Sequence, residues 1–206
     1  PRWLTSFNTH SGKANMLLSP WDLFADFYER VKPRGDELWL TSGRINEIWQ
    51  SGFDDFDRRP YIRERFPSPF IEIHPEDAAA RGIESGDEVV VWNDDVLVQT
   101  GGFVGVDGGD LSYTGLERAG KIRIGRGECR AVAVVTDAIR PGVLFADFNK
   151  PGSPVNALVH RVPDPVTGRY RFKLGKGRIR KVGESPWKHD LAKMTFAPRH
   201  VMPEEV

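Results

Sequence analysis

From residue 37 onward the apolar positions fall into short runs of β-type residues, at 38–40, 70–73, 88–92, 96–100, 121–124, 131–135 and 143–148, each broken by Gly, Pro or Asp. Such runs predict strands. Their number and spacing predict a mainly β fold with short helices, a barrel or a sandwich, and Asn93-Asp94-Asp95 reads as a hairpin turn between two strands. Two stretches follow a helical period instead. Leu23, Phe24, Phe27, Tyr28 and Val31 line one face of an amphipathic helix, with Ser19 as its cap, Pro20 at the first turn and Pro33 as its stop. His74 to Gly82 has an early proline, Glu76 and Asp77 in the first turn, alanines within and a glycine past the end, the pattern of a compact helix. Ser85-Gly86-Asp87 then turns the chain into the next strand. Glycine-rich residues 103–120 read as a long surface loop. Beyond Val182, Pro186, Pro198 and Pro203 mark a tail. The organisation expected is a lead-in arm and helix over 1–35, a β-barrel over 36–185 and an extended tail over 186–206.

Composition narrows the partners. The chain has 206 residues, 39% of them hydrophobic, and 29 charges of each sign, enough for one sizeable core and without the basic excess of a nucleic-acid binder. No apolar run approaches the ~20 residues a membrane-spanning helix needs. Cys129 is the sole cysteine, so the chain makes no internal disulfide and by itself no zinc or iron–sulfur site; its ordinary reading is a buried thiol in a strand. His10, His74, His160, His189 and His200 show no metal-ligand spacing. The first residue is Pro1 and no leader is visible, so the chain reads as cut from something longer.

Candidate chemistry sits in two distant stretches. Thr41 to Gly52 reads as a loop in which Gly43 admits backbone amides to a ligand, Thr41, Ser42 and Ser51 offer hydroxyls, and Arg44 offers a fork for phosphate oxygens. Trp49 adds a stacking face, although a lone tryptophan is ordinarily core. The second stretch holds Phe148, Asn156, Asp164-Pro165 and Arg171-Phe172-Lys173. Together they point to two polar loops closing on one large anionic ligand. The basic run Lys173, Lys176, Arg178, Arg180 and Lys181 reads first as a solvated strand face, and second as docking against an acidic neighbour or phosphate. No serine–histidine–acid triad and no Walker loop is present.

These residues resemble a known family. Ser11-Gly12-Lys13-Ala14, Thr41-Ser42-Gly43-Arg44 with Trp49, Pro75-Glu76-Asp77-Ala78 with Arg81-Gly82-Ile83 and Gly86-Asp87, then Asn156, Asp164-Pro165 and Phe172-Lys173, are similar to the C-terminal cofactor-binding domain of the molybdopterin oxidoreductases, the dimethyl sulfoxide reductase superfamily. The stretches 46–55 and 151–165 look like the large subunits of the arsenite oxidases. The resemblance implies a six-stranded double-psi β-barrel closing over a bis(molybdopterin guanine dinucleotide) molybdenum cofactor. It places Thr41, Ser42, Gly43, Arg44, Asn46, Glu47, Trp49, Gln50, Ser51, Asn156 and Lys173 at the cofactor, and Phe148 toward the substrate funnel. It further implies upstream domains of the same polypeptide that carry an iron–sulfur cluster, a Rieske-type small subunit, a small oxyanion substrate and a periplasmic location. On that pattern the whole enzyme oxidises arsenite to arsenate, while the chain alone, lacking the cluster's cysteines, neither holds molybdenum firmly nor turns over. Another enzyme of the same superfamily, of nitrate reductase or formate dehydrogenase type, and a free-standing barrel with no redox role stand as alternatives.

Overall fold

The computed structural model describes residues 5–14, 16, 21–45, 48, 59–102, 110–148, 154–163 and 169–189. Six strands, β1 (Leu38–Gly43), β2 (Phe70–Ile73), β3 (Asp87–Gln99), β4 (Ile122–Val135), β5 (Val143–Asp147) and β6 (Gly175–Glu184), close into a barrel in the order β1-β5-β2-β4-β3-β6. β1 runs parallel to β5 and β2 parallel to β4, and the other neighbours are antiparallel. Each parallel pair needs a connection that crosses the barrel end, which yields the double-psi arrangement expected from the resemblance. The barrel interior is packed by Leu40, Ile71, Ile73, Val89, Val91, Ala133, Leu144 and their neighbours, all essentially inaccessible. Cys129 lies in this core on β4, where burial pushes its thiol up to about 12, so it is inert at neutral pH.

Among the described residues four helices decorate the barrel: α1 (Trp21–Val31), α2 (Pro60–Arg65), α3 (Pro75–Ala79) and α4 (Tyr113–Arg118). α3 forms as its sequence predicts. His74 is its N-cap, Nδ1 accepting from the Glu76 amide, and Gly82 takes a φ of 61° after its end. α1 is held to α4 by Asp26, whose carboxylate accepts from the Tyr113 amide at 2.8 Å and the Thr114 hydroxyl at 2.6 Å. Arg30 reinforces the pair by reaching Glu117 at 2.7 Å. Between them Phe27, Val31, Tyr113, Leu116 and Ile122 make a second core.

Four expectations change. The Asn93-Asp94-Asp95 segment is no hairpin turn: β3 runs straight through it with a shift of register between Asn93 and Val96, because both halves pair with one continuous β4. Within 103–120, residues 112–119 form α4 and its caps, with Ser112 accepting from the Gly115 amide and Tyr113 and Leu116 buried, so that part is not a surface loop. Thr41, Ser42 and Gly43 belong to β1, paired with Phe145, Ala146 and Asp147, and not to a loop. Lastly, Lys176 is buried, not solvated. Its ammonium lies 3.2 Å from Glu37 and 3.1 Å from Asp95, while Arg178 lies 2.7 Å from Asp36, so these two basic side chains dock on acids of the chain itself. The start at Ser19-Pro20, the stretch 103–109 and everything after His189 lie outside the described residues.

Candidate functional site

β1 and β5 run side by side and end together. The Phe148 amide donates to the Gly43 carbonyl at 3.3 Å, so Gly43, Arg44 and Phe148 come to one rim of the barrel. Packing also favours glycine there: a β-carbon at Gly43 would sit 2.5 Å from Cε2 of Phe145 unless that ring moved.

The late segment reaches the same rim by a chain of specific contacts. A 3₁₀ turn at Val155–Ala157 lies directly on Gly127 of β4, where any β-carbon would collide with the Ala157 carbonyl. Asn93 donates through Nδ2 to the Leu158 carbonyl at 2.8 Å, and the Arg161 amide donates to Leu97 at 2.8 Å. Val159 bridges to Gly175 at the start of β6. These contacts hold Asn156 exposed at the rim. The lead-in to β6 is pinned in turn: the Ser42 hydroxyl donates to the Phe172 carbonyl at 3.0 Å, Leu174 packs on the second core, and the Arg171 guanidinium sits 5.3 Å from the Phe27 ring centroid.

The result is one open cleft of about 1300 Å³. Of the residues singled out from sequence, Ser42, Gly43, Arg44, Phe148, Asn156 and Lys173 line it together. Thr41 does not line it; it is half-buried, and its side chain alternates to the other face of β1 from Ser42. Asn46, Glu47, Trp49, Gln50 and Ser51 lie outside the described residues. Among the described lining residues there are four cationic side chains, Arg44, Arg169, Arg171 and Lys173, and no carboxylate. In a chain whose formal charge is zero, that is a strong local segregation. Arg169 and Tyr170 carried no signal in the sequence beyond an ordinary polar stretch. The exposed rings of Tyr170 and Phe172 stack at 5.6 Å with planes 15° apart, a pairing that only the folded loop reveals.

A smaller cavity of about 420 Å³ adjoins the cleft and shares Asn156, Tyr170 and Phe172 with it. His160 lines it and is buried; the Leu97 amide donates to its Nδ1 at 2.9 Å. Burial, with Lys176 and Arg30 near, lowers its pKa to about 4 although Asp95 pulls the other way. The ring is therefore neutral at pH 7 with its proton on Nε2, and Nε2 has no partner among the described residues. No group of three or more His, Cys, Asp or Glu among the described residues is arranged to hold a metal ion.

Comparison with known proteins places the chain in a family. The family model described as "Molydopterin dinucleotide binding domain" matches residues 38–104 and 94–175. The iodate reductase subunit IdrA of Pseudomonas sp. (strain SCT) is 53% identical over 203 residues, 97% of this chain and 23% of the relative. That of Denitromonas iodatirespirans is 49% identical over 205 residues, 98% of this chain and 23% of the relative. The arsenite oxidase subunit AioA of Herminiimonas arsenicoxydans is 38% identical over 88 residues, 43% of this chain and 10% of the relative. The chain thus spans about a quarter of the length of the iodate reductase subunits it matches. With the family model covering the chain from β1 to the start of β6, the chain belongs to the molydopterin dinucleotide binding domain family of the dimethyl sulfoxide reductase superfamily, the cofactor-binding part of a molybdenum oxidoreductase.

Proposed function

We propose that the cationic cleft grips the dinucleotide of a molybdopterin cofactor by its pyrophosphate, and that the chain caps this cofactor in the catalytic subunit of an iodate-reductase-type enzyme. The observation that carries the reading is the charge pattern: Arg44 from the end of β1 and Lys173 from the lead-in to β6 line one cleft together with Arg169 and Arg171, and the described lining holds no carboxylate. Guanidinium forks bind phosphate oxygens bidentately, and an ammonium adds a compact charge. The neutral amide of Asn156 supplies donors and an acceptor for a ring edge. Phe148 stands beside Gly43 as an apolar wall, fit to exclude water from the reacting end of the cofactor. Ser42 acts at one remove, since its hydroxyl holds the loop that carries Lys173.

The molybdenum of the bound cofactor would supply two-electron oxygen-atom transfer. This chain's own residues would supply binding and orientation. Upstream domains of the same polypeptide, an iron–sulfur cluster in them and a Rieske-type small subunit complete the assembly in this proposal. Iodate is favoured over arsenite as substrate because the match to the iodate reductase subunits is both higher in identity and continuous over nearly the whole chain. Arsenite oxidation is the second reading, supported by the 88-residue match to an arsenite oxidase subunit.

The two reactions run in opposite directions. Iodate reduction removes oxygen as water and consumes electrons and protons; arsenite oxidation takes oxygen from water and releases them. The full-length subunit should oxidise a reduced viologen when iodate is added and should not reduce a dye when arsenite is added. The reverse result would move the assignment to arsenite oxidase. Arg44→Ala with Lys173→Ala should lower the molybdenum and pterin retained per full-length subunit by about tenfold, and full retention would remove the cleft from the binding site.

A further inference from the structure

Directly after β6 the chain is knotted to the turn that precedes β3, and the side chain it carries there presses on the core behind Arg44. We infer that residues 185–188 act as a strap and that Trp187 is a positioning residue: it closes that core and so fixes Arg44 at the rim of the cleft. The inference rests on the proposed grip of the cleft on a dinucleotide, and it adds to that grip a residue that is not among the described lining of the cleft.

The knot comes first. Gly86, at a φ of 87°, lies so close under the strap that a β-carbon would sit 2.7 Å from Cα of Lys188. The Ser185 amide and hydroxyl both donate to the Gly86 carbonyl, at 3.1 and 2.6 Å, and the same hydroxyl accepts from the Trp187 amide at 3.1 Å. Asp87 is fully buried beneath, with the Lys188 ammonium at 2.8 Å, the Lys181 ammonium at 3.0 Å and the Glu84 amide donating at 2.8 Å. These contacts leave the intervening tryptophan little freedom. Its half-buried ring packs on a third core, on the outer face of the barrel, made of Ile45, Ile48, Ile62, Phe66, Phe70 and Val132. Ile45 and Ile48 are the link to the cleft. Arg44 is exposed in the cleft and the next residue, Ile45, is buried in this core, so the packing of Ile45 sets where the Arg44 backbone lies. Phe145 packs on the same core and fills the space beside Gly43, which ties the preceding residue to it as well.

The test uses the full-length holoenzyme and reads molybdenum and pterin per subunit. Trp187→Ala should lower retention about fivefold, Lys188→Met should lower it less, and Trp187→Phe should restore most of it. Val89→Ala, in the barrel interior, supplies a comparable loss of stability away from the third core and should keep the cofactor. Because coupling is reciprocal, a second readout needs no variant: the Trp187 and Lys188 amides should exchange with deuterium more slowly in wild-type holoenzyme than in the cofactor-free subunit from a host that makes no molybdopterin. Full retention in Trp187→Ala beside loss in Arg44→Ala with Lys173→Ala would overturn the strap and leave the cleft standing. Equal losses in Val89→Ala and Trp187→Ala, or unchanged exchange at the strap, would reduce Trp187 to an ordinary packing residue and overturn the inference. Full retention in Arg44→Ala with Lys173→Ala would remove the cleft's role, and the strap's with it.

Discussion

Gly127 decides where Asn156 stands. It lies mid-strand in β4, its φ is unremarkable, and its sole demand is that nothing occupy the space filled by the Ala157 carbonyl. Gly127→Ala must push the 3₁₀ turn off the strand. We expect a loss of about 1–3 kcal/mol, the usual cost of forcing atoms into a packed contact, measured as a lower urea midpoint, together with weaker nucleotide binding. Gly43→Ala should cost a similar amount against the Phe145 ring, and Phe145→Leu in the same chain should recover part of it. His160 gives a pH signature. Its folded pKa of about 4 lies below the ordinary 6.5, so the unfolded chain binds more protons between those values and stability rises with pH there. The contribution is complete above about pH 6.5 and is lost as pH falls toward 4. Wild type should lose roughly 2 kcal/mol more than His160→Asn between pH 7 and pH 5 in urea titrations.

At the scale of elements, the strands were legible where one face is apolar, as at Ile71, Ile73, Leu144 and Ala146, and the α3 helix was legible from its proline, acids and final glycine. β6 was harder to see. Its sequence, GKGRIRKVGE, offers one large buried apolar side chain, Ile179, because Lys176 takes an inside position through pairing and glycines 175 and 177 make way for Val159 and Val91. The identity of that lysine's partners, Glu37 and Asp95, depends on register across the barrel and leaves no local trace. α4 hid for another reason: its cap, Ser112, is local, but the helix is only six residues long and the Asp26 carboxylate that accepts from its Tyr113 amide lies 87 residues away in sequence. The cleft was half-legible. Arg44 was legible as a phosphate fork beside Gly43, and Asn156 and Lys173 from the late polar stretch and the family motifs together, whereas the Tyr170–Phe172 pair needed a folded loop. Lys176→Met leaves Glu37 buried with one cation fewer, and should cost about 3 kcal/mol by chemical denaturation; adding Glu37→Gln should return part of that.

For the whole molecule, the described residues assemble a cationic cleft at one rim of the barrel and no cluster of metal-ligating side chains. The isolated chain should show neither iodate- nor arsenite-dependent dye turnover; robust turnover would mean the cleft holds a complete centre unaided. The exposed face of α1, where Phe24 and Tyr28 stack at 6.5 Å, is the apolar surface expected to drive self-association of the isolated chain. Phe24→Ser with Tyr28→Ser should shift it toward monomer in sedimentation. Closure of the barrel has its own consequence. β1 meets β6 through a short seam, Leu38 to Gly177, Trp39 to Lys176 and Leu40 to Gly175, while β3 and β4 pair along most of their lengths. A short seam is the natural place for the ring to gape, and the segment that would swing out with it carries Arg171, Phe172 and Lys173. A nucleotide bridging that segment to Arg44 would then act as a hasp across the gap, and amides at Leu38, Leu40 and Gly177 should exchange with deuterium more slowly once it is in place.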